Sequence, residues 1–249
     1  KAINNLLRQI ENLADFEFAG FKKGSKPEYK LNGKFIIDKA SVPKEDYDSY
    51  LLFAGTAWLF SDEDLNQRLD YLFIDEAGQV SLANTLAMST STKNIVLIGD
   101  QMQLSQPIQG THPGIAGKSS LEYLLQGYDT IPPQKGIFLN ETRRLNKKIC
   151  EFISTSFYDS RLKSHTVTNE RYIKLSLDKI NDEGIIYVPM SHKNNSQKSI
   201  EETNYIKNLL SKIIGKKCKD NKDDKERNIN LEDILVVSPY NMQVNNLTR

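Results

Sequence analysis

The 249-residue sequence lacks the features that mark several common classes of protein. It has only two cysteines, Cys150 and Cys218, and three scattered histidines, so neither a disulfide framework nor a zinc site is predicted. No long apolar run and no secretory signal are present, which favours a cytoplasmic protein with no membrane partner. Basic residues exceed acidic ones by only one. Any binding of a polyanion must therefore come from a local surface rather than from the net charge.

Short apolar stretches alternate with amphipathic ones along most of the chain. The stretches without polar alternation are predicted strands, at 51–54, 71–74, 95–98, 137–139, 185–188 and 234–237. Apolar residues at helical spacing predict helices at 3–13, 80–88, 120–125, 146–157 and 201–214. Buried strands separated by helices indicate an α/β fold with parallel sheets that are covered on both faces. Residues 16–50 are predicted to be an irregular insertion or small subdomain. The charged run 216–230 is predicted to be a solvated loop, with a contact to nucleic-acid phosphates as the alternative.

Two carboxylates follow one of the predicted strands directly. Asp75 and Glu76 come after the apolar run 71–74, at the edge where open α/β sheets bind ligands. In phosphoryl transfer, one such carboxylate holds Mg²⁺ through its water shell, and the next orients and deprotonates the attacking water. Asp75 is the predicted magnesium residue and Glu76 the predicted catalytic base. A solvated acidic turn is the alternative for the pair taken alone.

Polar side chains at two further places fit the same chemistry. Gln103 follows the next strand, where its amide could contact a terminal phosphate and the attacking water. Arg144 follows residues 137–139, and an arginine supplied from a second lobe stabilises the charge that develops on a transferred phosphoryl group. An exposed basic pair, Arg143 and Arg144, at the start of a helix is the alternative.

Together these segments resemble superfamily 1 helicases of the 5′→3′ branch, and most closely bacterial helicases fused to a RecB-like nuclease. The resemblance covers nearly the whole chain. The matching segments are 1–7 for the tail of motif Ia, 54–60 for motif Ic, 75–79 for motif II (Walker B), 99–104 for motif III, Arg144 for the motif IV arginine, and 236–243 for the Pro-Tyr-x-x-Gln strand end of the second lobe.

The resemblance implies a P-loop NTPase fold with two incomplete RecA-like lobes. Residues 1–50 would hold the motif Ia helix and the insertion, 51–139 the rest of the first lobe, and 140–249 the start of the second. The implied function is an ATP-dependent helicase or translocase with ATP and Mg²⁺ as cofactors. Its implied partner is single-stranded DNA or RNA, with DNA favoured, in a DNA-repair role and with a possible fused nuclease.

Five further residues have a role in the resemblance. In the resemblance, Thr56 and Trp58 contact the single strand, but a lone tryptophan also suits a hydrophobic core. Tyr240 and Gln243 would help to close the nucleotide cleft, or would pack at a strand end. Arg143 stands where the family has an aromatic residue that stacks on adenine, and a guanidinium can also stack on a base.

The sequence contains no complete phosphate-binding loop. Residues 114–119 imitate the second half of a Walker A motif, but the required first glycine is replaced by His112. We therefore expect a fragment, running from motif Ia to just before motif V, that does not hydrolyse ATP by itself. Two alternatives stay open: a non-catalytic nucleic-acid-binding or scaffold module with the same fold, and a P-loop ATPase that acts on proteins.

Overall fold

The computed structural model describes residues 2–24, 26–104, 113–177, 180, 182–220 and 225–248. The chain divides into two compact units, Lys1–Tyr128 and Asp129–Arg249. Parallel sheets accompanied by helices confirm the predicted α/β class. Within the described residues, no helix has the length and apolar character needed to cross a membrane.

The first unit begins with a helix and a three-stranded parallel sheet. Their bounds are α1 (Ala2–Leu13), β1 (Gly20–Lys23), β2 (Ile36–Lys39) and β3 (Leu52–Ala54), with strand order β2-β1-β3. The helix α1 confirms the predicted amphipathic segment, and its Leu7 packs with Ile36 and Ala54 on one face of the sheet. On the other face, Phe21 packs with Leu59 in a larger core. The prediction that 16–50 is irregular was wrong, because two of these strands lie there.

A buried ion pair joins β1 to β2. Lys22 and Asp38 face each other in register, and Lys22 Nζ lies 2.6 Å from Asp38 Oδ1. Lys22 Nζ also donates to Asn4 Oδ1 of α1 at 3.0 Å and to the carbonyl oxygen of Tyr29. Burial raises the pKa of Asp38, but hydrogen bonds from Lys22 and from backbone N–H groups outweigh it and hold this pKa below its usual value. The pair therefore fastens α1 and the β1–β2 connection to the sheet.

A second parallel pair follows in the same unit. The remaining elements of this unit are α2 (Ala57–Phe60), β4 (Leu69–Ile74), α3 (Leu82–Ser89), β5 (Thr92–Leu97) and α4 (Ser120–Leu124). The β4–α3–β5 order is the predicted one. Ser81 starts α3 because its hydroxyl accepts a hydrogen bond from the N–H of Asn84, which satisfies one of the free donors of the first turn.

The second unit contains short strands and three longer helices. Its elements are β6 (Glu141–Thr142), α5 (Lys147–Phe157), β7 (Lys163–Ser164), β8 (Tyr172–Lys174), α6 (Ile200–Ile213), β9 (Lys217–Lys219), β10 (Arg227–Asn228) and α7 (Asn241–Leu247). The strands β6 and β7 are parallel, and β8, β9 and β10 form an antiparallel sheet in the order β10-β9-β8.

Three strand predictions in this unit were wrong. Residues 137–139, 185–188 and 234–237 form no strand, and their apolar side chains are largely exposed, including Tyr187 at 86%. An apolar run becomes a strand only if neighbouring strands satisfy its backbone groups, and no described strand pairs with these runs. The stretch 216–230 was also mispredicted as a loop, since β9 and β10 lie in it.

An arginine holds the turn after β10. Arg227 donates to both carboxylate oxygens of Asp233, at 2.6 and 2.7 Å, and to Asp220 at 3.0 Å. These bonds, together with one from the N–H of Asn230, lower the pKa of Asp233 to about 2. The charges of Arg227, Asp220 and Asp233 therefore pair with one another, whereas the mixed-charge sequence predicted a solvated loop.

We expect Lys22→Met to lower the free energy of unfolding by about 3 kcal/mol, because it leaves the buried Asp38 carboxylate without its cation. The value lies at the lower end for buried pairs because the N–H groups of Leu31 and Asn32 still donate to Asp38. Urea denaturation measures the change. The control is Lys93→Met, which removes the exposed pair with Asp70 and should cost less than about 1 kcal/mol. Equal losses in the two variants would contradict the role given to Lys22.

Candidate functional site

The candidate site lies where β4 and β5 end. These strands pair in parallel up to Ile74 and Leu97. The pairing continues beyond both strands, because the N–H of Ile98 donates to Ile74 O and the N–H of Ala77 donates to Ile98 O, each at 2.9 Å. The backbone that carries Asp75 and Glu76 is thereby held beside the loop that begins at Gly99.

Two glycines permit this close approach of the loops. A Cβ atom on Gly78 would overlap the carbonyl oxygen of Asp100. A Cβ atom on Gly99 would lie 2.7 Å from the backbone nitrogen of Ala77, which is closer than real Cβ contacts allow. Only residues without a side chain fit at both positions. The two glycines therefore set the spacing between the strand-end loops.

The predicted magnesium residue and catalytic base are both exposed at this edge. Asp75 Oδ1 accepts a hydrogen bond from the N–H of Glu76 at 3.0 Å. Glu76 has φ = 53°, in the left-handed region that non-glycine residues seldom occupy. Strained backbone of this kind is concentrated at functional sites, where the surrounding structure enforces it. This turn directs two adjacent carboxylates to solvent.

Asp100 brings Gln103 to the same edge. Asp100 Oδ1 accepts a hydrogen bond from the N–H of Met102 at 2.9 Å, and Asp100 Oδ2 accepts one from Gln103 Nε2 at 3.3 Å. The structure thus gathers Asp75, Glu76 and Gln103 at the ends of two neighbouring strands. Sequence reasoning gave Asp100 no role. The Gly-Asp pair directly after an apolar strand was the signal that could have identified it.

The chemistry of these donors fits a hydrated Mg²⁺ ion. Magnesium prefers oxygen ligands, keeps several waters, and is commonly held by one or two carboxylates together with substrate phosphates. Among the described residues, no group of three or more acidic, cysteine or histidine side chains could enclose a metal. The exposed carboxylate of Asp75 therefore suits a water-mediated contact rather than a complete protein cage.

The two predicted strand-contact residues follow β3 at the start of α2. Thr56 precedes the first residue of this helix, and Trp58 lies within it. The indole of Trp58 is 84% exposed, whereas Leu59 and Phe60 of the same turn are buried. The alternative in which Trp58 packs in the core is therefore wrong. A contact with nucleic acid stays a prediction.

The second unit holds the two predicted arginines in a fastened loop. Thr142 Oγ1 accepts a hydrogen bond from the N–H of Arg144 at 3.2 Å, and Arg171 Nη1 donates to Arg144 O at 2.9 Å. The side chains of Arg143 and Arg144 are exposed. The loop backbone is therefore fixed while both guanidinium groups stay available for a ligand.

Gln243 has a packing role in the second unit. It is only 5% exposed, and its amide accepts from the N–H of Ser199 at 2.8 Å and donates to Ser199 O at 3.2 Å. Ser199 is the residue that caps α6, so Gln243 fastens α7 to the start of α6. Tyr240 precedes α7 and is half exposed. A nucleotide contact by either residue stays a prediction.

The segment that imitates a Walker A motif has other partners. Lys118 Nζ lies 3.1 Å from Glu122 Oε1, and the hydroxyl of Ser119 accepts the N–H of Glu122 to cap the five-residue helix α4. His112, where the motif would need a glycine, lies outside the described residues. Local pairing therefore accounts for the lysine and the serine of this segment.

Comparison with known proteins identifies a family for the C-terminal part of the chain. The family described as AAA domain matches residues 116–249, which is more than half of the chain. The chain belongs to this AAA-domain family. This family membership covers the second unit and the last part of the first, so the β4–β5 edge lies outside the matched region.

Three curated relatives extend the similarity, each across 72% of this chain. They are the DNA polymerase alpha-associated DNA helicase A of Schizosaccharomyces pombe (26% identical), an ATP-dependent helicase of Methanocaldococcus jannaschii (24%) and a 3′-5′ exoribonuclease of Mus musculus (23%). The chain spans 27% of the length of each of the two helicases and 6% of the exoribonuclease. Two of these three relatives are named as helicases.

We expect Gly78→Ala to destabilise the protein by about 1–3 kcal/mol, because the added methyl group forces apart the loops after β4 and β5. Chemical denaturation followed by circular dichroism measures the loss. Gly24→Ala is the matched control, since the nearest atom to its new Cβ would be Lys22 Cε at an ordinary 3.7 Å. A Gly78 variant as stable as the Gly24 variant would show that close loop approach is not required.

Proposed function

We propose that this chain is the central part of an ATP-driven helicase or translocase motor that moves on single-stranded nucleic acid. The observation that carries the proposal is the placement of Asp75, Glu76 and Gln103 at one edge of a parallel strand pair. Hydrolysis of a triphosphate needs a cation site, a base for water and a polar group near the terminal phosphate. Residues of these three kinds are present together at this edge.

Each residue would have a separate task in hydrolysis. Asp75 would hold the water shell of Mg²⁺, which when bound neutralises charge on the phosphates. Glu76 would orient the attacking water and accept its proton, and Gln103 would contact water and the terminal phosphate. The hydrogen bond from Gln103 to Asp100 would set the position of the amide before nucleotide arrives. The strained turn at Glu76 would keep its carboxylate directed outward.

Two arginines of the second unit would supply positive charge for hydrolysis. Arg144 would stabilise the charge on the transferred phosphoryl group, and Arg143 would stack on the base in place of the usual aromatic residue. The bonds from Thr142 and Arg171 to the backbone of Arg144 support this role, because they fix the loop without occupying the guanidinium. Tyr240 would line the same cleft, with Gln243 behind it as a packing residue.

Further details follow from the resemblance alone. We propose movement of 5′→3′ polarity on DNA, in a cytoplasmic protein with a role in DNA repair that can carry a RecB-like nuclease. A phosphate-binding loop would have to be supplied by sequence other than these 249 residues. The small fraction of the relatives' length that the chain covers supports this proposal.

The first test is Glu76→Gln in a parent protein that also carries a phosphate-binding loop. We expect the rate of ATP hydrolysis stimulated by single-stranded DNA to fall at least a hundredfold, because the amide has no capacity to accept the proton of water. Nucleotide binding should persist, since Asp75 and the phosphate contacts remain. Phosphate release measures the rate, and a fluorescent ATP analogue measures binding.

The control for this change of charge is Glu45→Gln, at an exposed residue. This variant should leave the rate of ATP hydrolysis unaltered. An unchanged rate in Glu76→Gln would favour the non-catalytic scaffold instead. Hydrolysis that requires Glu76 but shows no stimulation by nucleic acid would favour an ATPase that acts on proteins. The three functions therefore give three different patterns in one set of assays.

The second test concerns the isolated chain. We expect the purified 249-residue chain to release no phosphate from Mg·ATP above the background of the Glu76→Gln version, because the N–H groups and lysine of a Walker A loop supply most of the phosphate contacts. A coupled phosphate assay at high protein concentration makes the measurement. Robust magnesium-dependent hydrolysis that disappears with Glu76→Gln would contradict the need for a separate loop.

A further inference from the structure

Positive charge is concentrated in one segment of this nearly neutral chain. Residues 20–44 contain seven lysines and two acidic residues, a local charge of +5 in a chain whose net charge is +1. One lysine and one acid of the segment, Lys22 and Asp38, neutralise each other in the buried pair. The remaining lysines are exposed or half-buried. This segment, here called the basic segment, therefore carries a local positive charge that the net charge conceals.

The sheet places two of these lysines together at its carboxyl edge. Lys23 ends β1, Lys39 ends β2, and the two are partners in register. Because side chains alternate along a strand and Lys22 and Asp38 point towards α1, Lys23 and Lys39 project on the opposite face. Adjacent strands are only about 4.8 Å apart. Two like charges so placed repel each other, and an anion at this edge relieves that repulsion.

Neither lysine forms an ion pair with a carboxylate among the described residues. Lys39 Nζ lies 5.4 Å from the ring centre of Tyr50, and a hydrogen bond with Tyr50 raises the pKa of Lys39. Lys23 is exposed, and among the described residues no carboxylate forms an ion pair with it. The carboxylate of Asp46 also raises the pKa of Lys39, but the two groups form no ion pair. The edge therefore keeps a net positive charge.

An exposed aromatic side chain lies beside the same edge. The stem of Lys23 passes next to Gly55, where its Cβ lies 3.6 Å from the position that a Cβ on Gly55 would take. Gly55 leads directly to Thr56 and to Trp58 of α2. An exposed indole on the helix that follows Gly55, and two lysines at the edge, supply the two features that bind unpaired nucleotides: stacking for a base and charge for phosphates.

We propose that Lys23, Lys39 and Trp58 form a contact surface for single-stranded nucleic acid at the carboxyl edge of the β2-β1-β3 sheet. The lysines bind successive phosphates, and Trp58 stacks on a base between them. The inference rests on the proposed function for its ligand class and assigns the strand contact to the carboxyl edge of this sheet. Lys23 and Lys39 are the new members of the surface.

The test uses the fact that Trp58 is the single tryptophan of the chain. Single-stranded oligodeoxythymidylate should quench its fluorescence on binding, whereas inorganic polyphosphate should bind without quenching, because it has no base to stack. Anisotropy of a fluorescein-labelled oligonucleotide gives the affinity independently. We expect Trp58→Ala to weaken that affinity at least about fivefold, the lower bound for loss of one stacked base.

The double variant Lys23→Gln/Lys39→Gln tests the charges. Each phosphate contact on a single strand contributes about 0.7 to the slope of log affinity against log salt, so losing two should reduce the slope by about 1.4. The matched control is Lys30→Gln/Lys34→Gln, which removes two exposed lysines of the same segment that precede β2. Circular dichroism establishes that every variant is folded.

Each outcome decides between the alternatives. A reduced slope in the first double variant only, with quenching by the oligonucleotide, supports the surface. Equal slopes in both variants, binding without quenching, or no binding at low salt overturns it. Binding that does not change the fluorescence of Trp58 would refute this surface but not the proposed motor function. Full ATPase activity in Glu76→Gln would refute the motor function but not the surface.

Discussion

The parallel pairing of β4 with β5 is the constraint on which the candidate site depends. Two backbone hydrogen bonds extend this pairing beyond the strands, from Ile98 to Ile74 and from Ala77 to Ile98. Gly78 and Gly99 allow the following loops to touch. Because the strands run in the same direction, the polar groups that follow them meet at one edge. Without this pairing, Asp75 and Gln103 would be separate polar residues on unrelated loops.

Charge is segregated within the first unit. Acidic groups occupy the ends of β4 and β5, whereas lysines occupy the ends of β1 and β2. Within the basic segment, Lys22 has a structural role, because it pairs with the buried Asp38 and fastens the sheet. The other lysines of the segment are exposed or half-buried. An acidic edge and a basic edge thus coexist on a chain with almost no net charge. A motor that handles Mg·ATP and a nucleic-acid strand needs both.

Sequence patterns located the polar ends of β4 and β5 better than they predicted the sheets. Acidic residues directly after an apolar strand identified the β4 edge, since strand ends are local features. The strands at 20–23 and 36–39 were missed because Lys22 and Asp38 interrupt their apolar pattern, and only the ion pair across the strands makes their burial favourable. The prediction for residues 234–237 was wrong in the opposite sense, because their apolar run predicted a buried strand that is absent. A strand also requires neighbouring strands, which the run itself does not encode. The burial of Gln243 depends on Ser199, 44 residues away, and has no local signal.

The most direct measurement of the central claim is a crystal structure of a parent protein, carrying its phosphate-binding loop, with Mg²⁺ and a non-hydrolysable ATP analogue. The account predicts one triphosphate whose magnesium shell contacts Asp75, with Glu76 and Gln103 directed at the terminal phosphate and Arg144 approaching from the second unit. A triphosphate bound elsewhere, with the carboxylates at the β4 edge facing only solvent, would contradict it.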